Sequence, residues 1–277
     1  MQRSWFISAI WLILGLAGPA DAATEPAKIV LASTTSTQNT GLFEVLLPAF
    51  TKRTGIAVSV VAVGTGQALE MARRGDADVL LVHDPEAEAQ FLADGYGLNR
   101  RQVMYNDFLL VGPATDPANI KGMKEAAAAF KQLAVKGYHF VSRGDKSGTH
   151  AQELRLWRQA GVKPSGPPNY LQAGQGMEAT LRLAGEKQFY TLVDRATWLA
   201  AQQRRQTDLL VMVEGDPVLF NQYSVIVVNP AKHPQVKVKE AQALADWLVS
   251  AEGQKLIGDF KDKHGNVLFK PNASAAR

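Results

Sequence analysis

From Lys28 onward, short β-branched runs alternate with stretches of helical periodicity, and this alternation restricts the chain to a layered α/β fold. Lys28–Ala32 reads as a strand. Leu42, Val45, Leu46, Ala49 and Phe50 then recur at helical spacing up to Gly55, and Ile56–Val63 is again β-branched. Gln67–Arg74 reads as a helix and Asp78–Val82 as a third strand. Parallel neighbours need a crossover, so this series predicts a mostly parallel sheet with helices on both faces. The grammar repeats with strands at Phe108–Val111, Tyr138–Ser142, Gln188–Val193, Leu209–Val213 and Gln222–Val228. Helices are expected at Ala126–Leu133, from Thr149 through Ala160, and at Lys239–Val249 and Ala251–Phe260. Two such units with long returning segments predict two lobes that exchange strands, each a mixed, mostly parallel sheet flanked by helices. The crossings are expected at Gly112-Pro113 and near Phe220–Val228, giving one lobe of residues 24–111 plus 222–277 and another of 112–221.

The first residues predict export. A basic start at Arg3, an apolar run from Trp5 to Leu16 and small residues at Ala20 and Ala22 have the order of a signal peptide over residues 1–23, cleaved near Ala22 or Ala23. Gly15, Gly18, Pro19 and Asp21 interrupt the run before the roughly 20 apolar residues that spanning requires. The processed chain is therefore expected to be periplasmic and not membrane-spanning. Its 46% apolar and 20% charged residues are those of a globular protein. The chain has no cysteine, which excludes disulfide scaffolds, thiolate metal sites and cysteine nucleophiles. The formal charge of +4 is spread along the chain, and the densest cluster, Arg204-Arg205, lacks the interleaved aromatics of a nucleic-acid groove.

Three polar segments occupy the same slot, each following a β-branched run and opening a helix: Ser33–Thr37, Gly64–Gly66 and Ser142–Thr149. Helix N-termini leave free N–H groups and carry the positive end of the dipole, which suits them to anions. In open α/β sheets such loops lie at the strand edge where ligands bind. Ser and Thr hydroxyls donate without adding charge, glycines let the backbone approach closely, and Arg143 supplies a fixed positive fork for a tetrahedral oxyanion. Six hydrogen bonds to a charged group give about 10 kcal/mol before association costs, enough for tight capture.

Each segment taken alone also reads as a helix cap. Ser147 and His150 offer a hydrolase alternative, although no acid partner follows from spacing. Gly144–Gly148 has the composition of a phosphate loop without its G-x-x-x-x-G-K-[ST] pattern, which disfavours nucleotide hydrolysis.

Leu31–Gln38, Val63–Leu69, Ser142–His150, Gly174–Met177 and Val193–Thr197 resemble, in order, segments of the tungstate-binding component of tungstate ABC importers, the TupA type, within the type II periplasmic-binding-protein class. The resemblance implies two lobes on a hinge with the oxyanion closed between them, and no catalysis. It assigns oxyanion contacts to Ser33, Thr34, Thr35, Ser36, Thr65, Arg143 and Thr149, with Ser147 and Gly148 close by. Ser33 stands where the family often has Thr, which keeps the hydroxyl. The implied ligand is tungstate, with molybdate, sulfate or phosphate as alternatives, and no cofactor. The implied partners are a membrane permease and its ATPase, with the protein itself a monomer. Gln175, Asp194 and Arg195 are expected at lobe or hinge contacts, with ordinary surface or capping roles an equal alternative.

Overall fold

The computed structural model describes residues 27–273, so the expected signal peptide lies outside the described residues. The first half runs β1 (Lys28–Thr34), α1 (Thr35–Asn39), α2 (Leu42–Thr54), β2 (Ala57–Val63) and α3 (Thr65–Arg74). It continues with β3 (Val79–Val82), α4 (Pro85–Ala93) and the long β4 (Gly97–Gly112). Next come α5 (Ala126–Val135), β5 (Phe140–Ser142), α6 (Gly148–Gln159), β6 (Tyr170–Gln172), α7 (Met177–Lys187), β7 (Thr191–Asp194), α8 (Arg195–Gln203) and β8 (Leu210–Val213). The chain returns through β9 (Phe220–Val228), α9 (Val238–Leu248), α10 (Ala251–Asp259) and β10 (Lys270–Pro271).

The first sheet has the order β10-β4-β9-β3-β1-β2. β1 pairs in parallel with β2 and β3, whereas β9 runs antiparallel to both β3 and β4. Alternation along the strands buries both faces. Leu31, Val79, Leu81, Val225 and Val227 pack under α2, α9 and α10, while Ala32, Leu80, Val82, Ile226 and Val228 pack under α3 and α4.

β4 belongs to both lobes. Its residues up to Asp107 pair with β9, and from Phe108 it pairs with β7 and then β8. Phe108 and Leu110 face a core built around Phe130, Phe140, Trp157 and Tyr190; Leu109 and Val111 face another built from α7 and α8. The strand expected over Phe108–Val111 thus begins at Gly97, and the change of partner comes before Gly112-Pro113, which only ends it. Arg100, Arg101, Asn106 and Asp107 conceal the first part of the strand by interrupting its apolar pattern. Arg195 clamps this crossing: Nε and Nη2 donate to the two carboxylate oxygens of Asp107, both at 2.6 Å, and Nη2 also reaches Glu214 at 2.8 Å. Asp194 instead caps α8, accepting from Thr197 N at 2.9 Å and Thr197 Oγ1 at 2.7 Å.

Gly112 ends β4 against the ring of Tyr190, where a methyl group would overlap Cδ1 and Cε1. The ring cannot retreat, because its hydroxyl accepts from Ala118 N at 3.0 Å and donates to Asp116 at 2.9 Å. Gly112→Ala is expected to lower unfolding free energy by about 1–3 kcal/mol in denaturant titrations; an unchanged midpoint would refute the packing assigned here.

Candidate functional site

Because β1, β2 and β3 are parallel neighbours, their C-terminal ends share one edge of the sheet. Thr34 stands opposite Val63, and Ser33 opposite Leu81, so the turns that follow leave side by side. Each turn opens a helix. Thr34 Oγ1 accepts from Thr37 N at 3.4 Å, Gly64 precedes α3, and Asp84 caps α4 with Pro85 in its first turn. From the other lobe, Ser142–Thr149 leads from β5 into α6, where Ser147 Oγ accepts from His150 N at 3.3 Å.

The turns interlock at the seam between the lobes. A methyl group at Gly64 would lie 3.6 Å from Ser147 Cα, and one at Gly66 only 2.9 Å from the Lys146 carbonyl oxygen. Gly148 abuts His83 in the same way, its notional methyl 2.7 Å from the imidazole. Two further links join α6 to α4: Arg155 Nη1 to Asp84 Oδ1 at 2.7 Å, and Arg158 Nη2 to Glu86 at 3.1 Å. The N-termini of α3 and α6 are therefore brought together.

Their first turns carry the most informative side chains. Thr65 and Thr149 are each 1% exposed, and among the described residues neither Oγ1 atom has a hydrogen-bond partner. A buried hydroxyl without a partner costs free energy, so a pair of them at adjoining helix N-termini points to an acceptor that binds there. Arg143 is 4% exposed and uses only Nε, donating to Asp145 Oδ2 at 2.9 Å; among the described residues its Nη1 and Nη2 have no protein partner. Asp145 accepts from Ser147 N through Oδ1 at 3.1 Å, so both its oxygens are engaged within the loop.

The β1 turn contributes unequally. Ser33, expected as a contact, is fully buried, and its hydroxyl donates to the Leu81 carbonyl at 2.6 Å, so the expected ligand proton is spent inside the sheet. Thr34 Oγ1 lies 3.2 Å from Ser36 Oγ and 2.7 Å from Thr37 Oγ1. Thr35 and Ser36 are half-buried and line a cleft of about 740 Å³ whose other wall includes Gly176, Met177 and Thr197. The hydrolase pair does not form. Ser147 Oγ meets the backbone of His150 rather than its ring, and His150 Nδ1 accepts from Lys146 N at 3.1 Å. The Lys146 side chain faces solvent.

Sequence reasoning missed His83, Asp84 and Arg155. Asp84-Pro85 is a local helix-start signal that could have located α4; nothing local marks His83. Burial, reinforced by the positive charges of Arg143 and Arg155, lowers the His83 pKa to about 3 against the opposing hydrogen bond from Asn221. The imidazole is therefore neutral.

The sequence profile of the PBP superfamily domain matches residues 20–252. The tungstate-binding protein TupA of Peptoclostridium acidaminophilum is 49% identical over 249 residues, covering 89% of this chain and 86% of that protein. Among solved structures, the tungstate-binding protein TupA of Desulfovibrio alaskensis G20 superposes with a TM-score of 0.76 at 48% identity, covering 90% of this chain and all of the other. The structure described as the tungstate ABC transporter of Geobacter sulfurreducens gives a TM-score of 0.75 at 50% identity, over 84% of this chain and 98% of its own.

Thr149→Val removes an unpaired hydroxyl while preserving shape. Denaturation of the ligand-free protein is expected to be unchanged or up to about 1 kcal/mol more difficult, while affinity for a tetrahedral oxyanion falls about 10–100-fold. A calorimetric titration that leaves affinity intact would remove Thr149 from the site. His83 yields a second expectation. Unfolded histidine takes up a proton near its ordinary value of 6.5, and the folded ring does so only near 3. The unfolded state thus binds more protons between these values, so stability falls as pH drops through that window. His83→Gln should flatten the slope, by at most about 1.4 kcal/mol per pH unit, in urea titrations between about pH 4 and 6; an unaltered slope contradicts the assignment.

Proposed function

This chain belongs to the PBP superfamily, and from that membership we propose that it is the extracytoplasmic solute-binding protein of an ABC importer, capturing tungstate between its two lobes. The carrying observation is that two unpaired buried hydroxyls, Thr65 and Thr149, lie in the first turns of adjoining helices, with Arg143 in the loop that leads into one of them. A dianion leaving water needs donors around all its oxygens. Backbone N–H groups of α3 and α6, the two hydroxyls and the Arg143 fork meet that need, with Thr34, Thr35 and Ser36 completing the β1 side.

The acceptor inventory bears on which oxyanion fits. A phosphate that retains a proton needs an acceptor for it, and each Asp145 oxygen already accepts one hydrogen bond, from Arg143 and from Ser147 N. The donors gathered in the loop suit a fully deprotonated dianion, and the relatives that carry the name tungstate-binding protein support tungstate among these. Molybdate, with the same charge and nearly the same size, is the nearest competitor. Arg143 adds charge to geometry and in this reading sets the ratio between the two.

In the proposed cycle nothing is chemically transformed and no cofactor takes part. Anion capture closes the lobes, and a periplasmic encounter delivers the closed monomer to a permease and its ATPase. We place the lobe boundaries where β4 changes partner between Asp107 and Phe108 and where β9 begins at Phe220, a few residues from the boundaries expected at 111/112 and 221/222.

Titration calorimetry on ligand-stripped protein tests the reading. Tungstate is expected to bind one-to-one and to resist displacement by sulfate or phosphate. Arg143→Lys should weaken binding about 10–100-fold and change the tungstate-to-molybdate ratio. Absence of binding by any of the four anions would overturn the function; an unchanged ratio in the lysine variant would remove Arg143 from selectivity alone.

A further inference from the structure

His83 is buried at the seam and held there by two contacts. Its Nδ1–H donates to Asn221 Oδ1 at 3.0 Å, and its ring packs on that of Tyr223 with centroids 4.6 Å apart. Asn221 is itself oriented, because its Nδ2 donates to Asn106 Oδ1 at 2.7 Å. Asn106 and Asn221 stand opposite one another in β4 and β9, at the place where the chain crosses between lobes. The ring is therefore a rigid extension of the crossing strands.

Against the same ring, from the other lobe, lies Gly148, the first residue of α6. A methyl group there would sit 2.7 Å from the ring atoms Cε1 and Nδ1 and 2.8 Å from the His83 carbonyl oxygen. The backbone at Gly148 is helical and has no positive φ, so its conformation does not require glycine. In a helix alanine is the better residue by propensity. What excludes a side chain is the neighbour, and the neighbour belongs to the other lobe.

We propose that His83 and Gly148 form the stop that sets the closed position of the lobes, with His83 a positioning residue held by the Asn106–Asn221 amide pair. The N-terminus of α6 comes to rest against the ring, and only at that separation do Arg143 and Thr149 reach the anion together with Thr65. The inference deepens the oxyanion-binding reading of this site and rests on it.

Four forms of the protein test the stop: the natural chain, Gly148→Ala, His83→Ala and the double variant. Gly148→Ala keeps every backbone N–H at the N-terminus of α6 and should leave the ligand-free protein at least as resistant to denaturation. It should nevertheless weaken tungstate about 10–100-fold, the range of a small overpacking. Removing the ring in the double variant should recover the part of that loss that the ring causes, while the contact with the His83 carbonyl oxygen remains. An alanine at 148 that binds normally, or a loss of which the double variant recovers nothing, overturns the proposal.

Closure is read separately by adding Glu86→Cys and Arg158→Cys to each form, since the chain has no cysteine of its own, and treating with a short bismaleimide. The yield of cross-link, with and without tungstate, should fall with Gly148→Ala and recover in the double variant. If tungstate neither binds the natural chain nor raises its cross-linking, the tungstate reading fails. The stop is then decided by the ligand-free yields alone: no drop with alanine refutes it, and a drop recovered by the double variant supports it.

Discussion

In the proposed function, taking a doubly charged anion out of water is the constraint on which the rest of this structure depends. Hydration of such an ion is strong enough that a pocket lacking even part of the replacement hydrogen bonds does not bind. A wall of lysines would supply charge, but flexible side chains would have to be ordered for each contact. Helix N-termini are already ordered. The parallel run β2-β1-β3 delivers three of them to one edge, and β5 delivers a fourth across the seam. Arg143 enters as a single buried cation whose orientation is fixed by its own loop through Asp145.

Such a pocket has to open and close without losing its geometry, and the two crossing strands address that requirement. β4 and β9 are continuous hydrogen-bonded elements where the lobes join, and β4 serves cores on both sides of the crossing. Arg195 holds the crossing through Asp107. Each lobe is packed on both faces of its sheet, so the closure proposed above would concentrate in the short stretch between them.

Much of this was legible in the chain itself. Runs such as Ile56–Val63 and Asp78–Val82 mark strands, the first a half-buried β-branched edge strand and the second buried on both faces. The polar segments at Gly64 and Ser142 mark turns that open helices, and the residues that cap helices are also the residues that donate to oxyanions. That same overlap misled at Ser33, whose hydroxyl has the right chemistry and the wrong direction: it faces Leu81 in the neighbouring strand. What stayed hidden was non-local. His83 acquires its role from Asn221, 138 residues away, and from Gly148 in the other lobe, and no local pattern encodes such a meeting. The first half of β4 was hidden because a strand carrying Arg100, Arg101 and Asp107 at a hinge does not look like a buried strand.

The two unpaired hydroxyls have a consequence for economy of transport. When the lobes are shut without cargo, Thr65 and Thr149 are cut off from water and left with no partner, a penalty of about 1–3 kcal/mol for each. Parted lobes let water satisfy them, and cargo satisfies them in the shut form. The vacant carrier is thereby biased away from the shape that a loaded one adopts. A transporter that responds to that shape is seldom started by a carrier with nothing to deliver, so fuel is not spent on idle turnover.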